Sequence, residues 1–194
     1  RKPGDACGRP RLTGDTSPAA LLTLVYNTSA AELLRQRLVG RLGWGIAQQV
    51  QSRTFHSLAL NLLQTQFPDT GSYKRILGTD ACQDVWASQV MGAALRQAHV
   101  EGEVEDWIAA SELLRDSMVD LEGGDALDQV LALPGLDNSV RAHQALRVAK
   151  EYQEQKAARD VCDFCDFTYD LAMACVGQEQ WVQPLASRWT HVQV

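Results

Sequence analysis

The chain has 194 residues, 22% of them charged and 45% hydrophobic, with 14 Gly and 6 Pro, which excludes a disordered or fibrous polypeptide and suits a folded domain with a real core. The formal net charge of −6 hides an asymmetry: residues 1–53 carry a balance of +5, the remainder −11, and between Glu101 and Asp137 eleven acids face the single base Arg115. A phosphate-bearing partner is therefore expected at the first quarter of the chain and away from the acidic middle.

In chain order, residues 1–20 are rich in Gly, Pro, Asp and Thr without hydrophobic period and read as a loop or tail. Arg1 to Asp5 lead into no apolar signal core, and no run approaches the roughly 18 apolar residues of a membrane span. A first residue that is Arg rather than Met suggests a fragment or processed piece. Leu21 to Tyr26 form a nearly continuous apolar run, the pattern of a strand buried on both faces of a parallel sheet. Asn27-Thr28-Ser29 supplies capping side chains. Ala30, Leu33, Leu34, Leu38 and Leu42 then recur at helical spacing until Gly40, Gly43 and Gly45 close the helix. Val50 to Phe55 is a second extended segment, followed by a helix striped with Leu58, Leu62 and Leu63 that Pro68 should stop. From Gly78 to Arg159 the spacing is helical throughout, broken at Gly123-Gly124 and Pro134-Gly135. Asp163 to Val176 is a further helix, with Asp163 as cap and Asp166 three residues on. His191 to Val194 read as a strand cut off in mid-course.

Several residue groups invite chemistry. The glycines at 40, 43 and 45 are not followed by Lys-Ser or Lys-Thr, so no phosphate loop is present, and no acidic pair ends an apolar strand to hold Mg²⁺. This polypeptide alone is not expected to hydrolyse ATP. Cys162-x-x-Cys165 with Cys175 has zinc-like spacing, but the fourth ligand would have to come from Cys82 or a distant His, and two thiols at a helix start is the plainer reading. With Cys7 the count is five, odd and scattered, which fits reduced thiols in a cytoplasmic or nuclear setting. Asp160, Asp163, Asp166 and Asp170 include pairs that share a helix face, suited either to metal or acid–base work or, more simply, to a solvated helix N-terminus. His56 and Ser57 are adjacent, so they do not face one another on a helix and are no nucleophile–base pair. The five Trp are too scattered for a stacking platform.

Thr54-Phe55-His56-Ser57-Leu58-Ala59, about thirty residues after Leu24-Val25-Tyr26-Asn27-Thr28-Ser29-Ala30-Ala31, is far more specific. Together these strings resemble motifs Ib and Ia of the UvrD/Rep/PcrA family of superfamily 1 DNA helicases, usually written T-F-H-S and T-F-T-N-K-A-A. Asp163-Phe164-Cys165-Asp166-Phe167 resembles the family's D-F-D-D-L segment, Tyr152-Gln153-Glu154 the helix before it, and His191 to Val194 the strand that leads into the D-E-x-Q-D Walker B motif. Order and spacing agree across nearly the whole chain. Two departures, Ser29 for the motif Ia Lys and Cys165 for the first Asp of D-D, suggest a divergent branch and bar any lysine-dependent contact from being carried over.

The resemblance implies an α/β fold with a predominantly α-helical insertion: part of a RecA-like (P-loop NTPase) parallel sheet, domain 1A, and a helical 1B subdomain. The implied division is a tail over 1–20, domain 1A with motifs Ia and Ib over 21–69, the 1B insertion over 70–160 and a return to 1A over 161–194. It implies a fragment between Walker A and Walker B of an ATP-dependent helicase that moves on single-stranded DNA and unwinds duplex in repair or replication. ATP and Mg²⁺ are then cofactors of the parent, with none in the fragment. The partners are single-stranded DNA or a single-strand/duplex junction and the remaining helicase domains, with no membrane. By the same resemblance Tyr26 stacks on a base, Asn27 and Thr28 bond the backbone, and Thr54 and His56 contact phosphate or sugar. Core packing for Tyr26, and capping or core packing for His56, are the structural alternatives. The competing reading is a stand-alone acidic helical module that binds a basic protein.

Overall fold

The computed structural model describes residues 17–66, 75–77, 86–176 and 179–194. After a 3-10 turn at Pro18–Ala20, the element order is β1 (Leu21–Val25), α1 (Thr28–Leu42), α2 (Trp44–Ala47), β2 (Gln51–Thr54), α3 (Phe55–Gln66), β3 (Arg75–Ile76), α4 (Ala87–Ala98) and α5 (Val104–Asp116). Then come α6 (Ala126–Leu131), α7 (Ser139–Ala158), β4 (Val161–Cys162), α8 (Phe164–Cys175), α9 (Glu179–Arg188) and β5 (His191–Gln193). The chain divides into two compact units, one running to Ser57 and resuming at Gln178, the other from Leu58 to Gly177.

The first unit is α/β. Its sheet has the order β2-β1-β5, with both pairings parallel. Leu21 lies opposite His191 and Val25 opposite Thr54. The first and last strands of the described chain thus share one sheet, as the apolar runs at its two ends predict. Burial is less than expected for β1, where only Leu22 is buried, and β5 is exposed throughout. The flanking strands are four and three residues long, so β1 has few neighbours to cover it. α1 starts because the Asn27 side chain accepts the Ala30 N–H at 2.8 Å, and it ends at Gly43, whose φ of 80° suits a residue without Cβ. Of the expected stripe, Ala30, Leu34 and Leu38 are half-buried on the side of the buried Ala31, while Leu33 and Leu42 are exposed. A small side chain at 31 lets the helix backbone approach β2.

The second unit is almost entirely helical. Its core joins Val90, Met91, Ala94, Leu95 and Ala98 of α4 to Ala142, Ala145, Val148, Ala149 and Tyr152 of α7, with Trp107 and Leu114 of α5 and Val130 of α6. Alanines at three- and four-residue spacing on both facing helices allow close approach, and each fully buried Val or Leu contributes roughly 1.5–3 kcal/mol. Gly123-Gly124 lies between α5 and α6, and Pro134-Gly135 between α6 and α7, as expected. Between 86 and 159 the described residues contain no strand. The parallel β3–β4 pair, Arg75 opposite Val161 and Ile76 opposite Cys162, was not expected, since two residues carry no period to read. Pro68 lies outside the described residues; α3 ends before it, at Gln66.

Candidate functional site

In a parallel sheet the carboxyl ends of neighbouring strands open on one side, and that is where loops gather chemistry. The Val25–Thr54 register brings the β1–α1 and β2–α3 junctions together there. Tyr26 follows Val25 and is 89% exposed, which removes core packing as its explanation. Asn27 is exposed, its carbonyl oxygen committed to the α1 cap while its amide NH₂ faces no partner in that cap. Thr28 is the exposed first residue of α1. Thr54 is buried, and its hydroxyl accepts the Ser57 N–H at 3.2 Å, while Ser57 Oγ accepts the Thr54 N–H at 3.1 Å and donates to the Thr54 carbonyl at 3.0 Å. This reciprocal cap fixes the angle at which α3 leaves the sheet. His56, half-buried, is in the first turn of α3.

All five residues singled out in the sequence therefore lie at one sheet edge. The register adds Phe55, 41% exposed, at the end of the strand beside Tyr26's. Its place beside an aromatic is set by the pairing of strands, which the local string does not show. Neither α1 nor α3 has an acid in its first turn, so both positive helix ends are left uncompensated. The described part of this unit holds Arg35, Arg37, Arg41, Arg53 and Arg188 against Glu32 and Glu179, and Glu32 is taken up by Arg35 at 2.7 Å.

The helical unit collects a different set of charges. Lys156, almost wholly buried, donates to Asp163 at 2.8 Å and to Asp166 at 2.6 Å. Arg115 donates to Asp166 at 3.0 and 3.2 Å and to Gln153, and its guanidinium stacks 3.6 Å from the Tyr169 ring centre. Asp163 and Asp166 also cap α8 reciprocally. Burial alone would raise the Asp166 carboxyl, but the charge and hydrogen bond of Lys156, with Arg115, outweigh it and hold it below the usual carboxylate range. Burial pushes the Tyr152 hydroxyl up, and the Cys165 thiol up to about 12, with Asp116 and Asp163 adding to the latter. Asp163 and Asp166 are thus satisfied by cations and a cap, and burial favours the neutral Cys165 thiol. Among the described residues no group of three or more His, Cys, Asp or Glu is placed to hold a metal ion, and no helix is long and apolar enough to cross a membrane. The sequence could announce the cap, whose partners are three residues apart, but not Arg115, which is 51 residues from Asp166.

A family model described as the UvrD/REP helicase N-terminal domain matches residues 12–194. No individual curated protein matches the chain.

Proposed function

The chain belongs to the UvrD/REP helicase family, and from that premise we propose that its carboxyl sheet edge is a single-stranded DNA contact of an ATP-driven helicase. The observation that carries this reading is the 89% exposed Tyr26 beside Phe55 at the mouths of two uncompensated helix N-termini. Tyr26 and Phe55 offer faces for bases, the Asn27 amide, Thr28 and His56 offer polar contacts to the strand's backbone, and the helix ends favour phosphate. Thr54, buried and engaged with Ser57, acts by positioning His56 and Phe55. The segment 70–160, within the helical unit from Leu58 to Gly177, is on this reading the 1B-type insertion, and its acidic 101–137 stretch stays off the strand. The family match does not favour a stand-alone acidic module.

Full-length members of the family imply ATP and Mg²⁺. The residues of this chain do not fit either group: the sequence has no phosphate loop, and its acids at 163 and 166 are already matched by Lys156 and Arg115. Nucleotide chemistry is therefore not routed through these residues, whose part is to bind and orient the strand.

Fluorescence anisotropy with an oligo-dT strand at low and moderate salt tests this. A stacking contact is worth about 1–3 kcal/mol, so Tyr26→Ala should weaken binding by roughly five- to a hundredfold, His56→Ala by less, and wild-type affinity should fall as salt rises. If both variants remain folded and bind as wild type does, the assignment of the site is wrong.

A further inference from the structure

β2 lies at the end of the sheet, and among the described residues β1 is its only strand partner. Its other side borders a groove of about 710 Å³. One wall is the α1 stripe Ala31, Arg35 and Val39, and Trp44 of α2, 64% exposed, stands at the end of it. Ser52 of β2 lines the floor, and its hydroxyl is buried without a hydrogen-bond partner among the described residues. Buried polar atoms in folded proteins are nearly always satisfied, so an orphan hydroxyl beside an open strand points to an absent ligand that supplies the bond.

We infer that this groove takes an extended acidic peptide segment of a partner protein, added as a strand to the free edge of β2 beneath α1. Short of Thr54, whose N–H and C=O are both taken by Ser57, the strand edge alternates donors and acceptors, which another peptide backbone matches and a phosphate chain, all acceptors, does not. Val39, half-buried, and Trp44, exposed, offer apolar surface to side chains of such a strand. The charge is complementary to acids: Arg35 and Arg53 line the groove, and the one acid that lines it, Glu32, is engaged by Arg35. The chain's own first sixteen residues are a poor occupant, because Arg1, Lys2, Arg9 and Arg11 outnumber Asp5 and Asp15. This inference is independent of the DNA reading, which concerns the strand ends and not the strand edge.

The probe is a fluorescein-labelled eight-residue peptide alternating Val or Thr with Asp or Glu, added to the full 194-residue chain. Anisotropy should show saturable binding, and NMR-detected exchange of the β2 amides that face away from β1 should slow at least tenfold on addition. Arg35→Glu, at an exposed helix position, and Trp44→Ala should each weaken the peptide about tenfold or more with circular dichroism unchanged. Tyr26→Ala should leave the peptide's affinity unaltered, which separates this result from that of the DNA test. The inference is overturned if β2 exchange is unaffected by the peptide. It is equally overturned if the β2 amides that face away from β1 are already protected in the free chain, if oligo-dT protects them as the peptide does, or if protection tracks self-association of the chain.

Discussion

Asp166 accepts from Lys156 and Arg115 through its two carboxylate oxygens and also receives the Asp163 N–H at 3.0 Å. Its neutral replacement, Asp166→Asn, leaves Lys156 buried with only Asp163 opposite and should cost about 3–5 kcal/mol, measurable by urea unfolding at neutral pH. Because the folded carboxyl is held below its ordinary value, its contribution is fully present above the unfolded value near pH ~4 and is lost as pH falls through the folded one. Wild type should therefore lose stability in acid below about pH 4 more steeply than Asp166→Asn does, and equal slopes would contradict the assignment. Glu112 runs the other way: burial, then Asp163 and Asp116, push its carboxyl up against a smaller pull from Lys156. The stability it confers is present below its unfolded value and lost as pH rises through the folded one, so Glu112→Gln should raise the melting temperature at neutral pH and have no such effect in acid. A melting temperature unchanged at both pH values would show that Glu112 is not strained by its neighbours.

Among the elements, two glycines separate backbone strain from steric conflict. Gly43 closes α1 at a φ of 80° with open space where a Cβ would stand, whereas at Gly102, φ 142°, a Cβ would lie 2.6 Å from Nε1 of the buried Trp107. Gly43→Ala should cost about 1–2 kcal/mol, the strain alone. Gly102→Ala should cost more and should shift Trp107 fluorescence, because the indole must move to admit the methyl group. Equal costs with unchanged emission would mean that the α5 entry is looser than its geometry indicates. The elements best legible in the sequence are those whose signals are local: the Leu21–Val25 run, the Asn27 and Asp163 caps, the glycine breaks, and the Thr54–Ser57 string that leads to the family. What was not legible depends on distant partners or on ambiguous punctuation. Of the α1 leucines, Leu34 and Leu38 share the face of the buried Ala31, while Leu33 and Leu42 are exposed, a choice set by the position of β2. β3 and β4 exist only because they pair with each other, and Pro184 reads as a break although it lies inside α9. Of the proposed site, five residues are named by the sequence strings, and the placing of Phe55 beside Tyr26 emerges only from strand register.

At the scale of the molecule, the two units differ in how they depend on the chain. The buried cluster of α4, α5, α6 and α7 is assembled from residues 77–161, so the helical unit has a core of its own. The sheet instead needs both ends of the described chain: the Thr190 N–H donates to the Ala20 carbonyl at 3.0 Å, next to the Leu21–His191 pair. Deleting His191–Val194 should therefore weaken amide protection in β1 while leaving protection in α4 and α7 as in the full chain, a contrast readable by hydrogen exchange. Loss of protection in both would refute their independence. That contact between positions 170 residues apart also bears on the order of events during folding. Closing so long a loop in an unfolded chain is entropically costly and slow, and each halving of the effective loop lowers the closure cost by about 0.6 kcal/mol. A folded helical unit performs that shortening, because it replaces most of the intervening random chain with a compact body. If the helical unit performs this shortening, Asp166→Asn should slow the recovery of oligo-dT binding after dilution from denaturant, and an unchanged rate would refute that order.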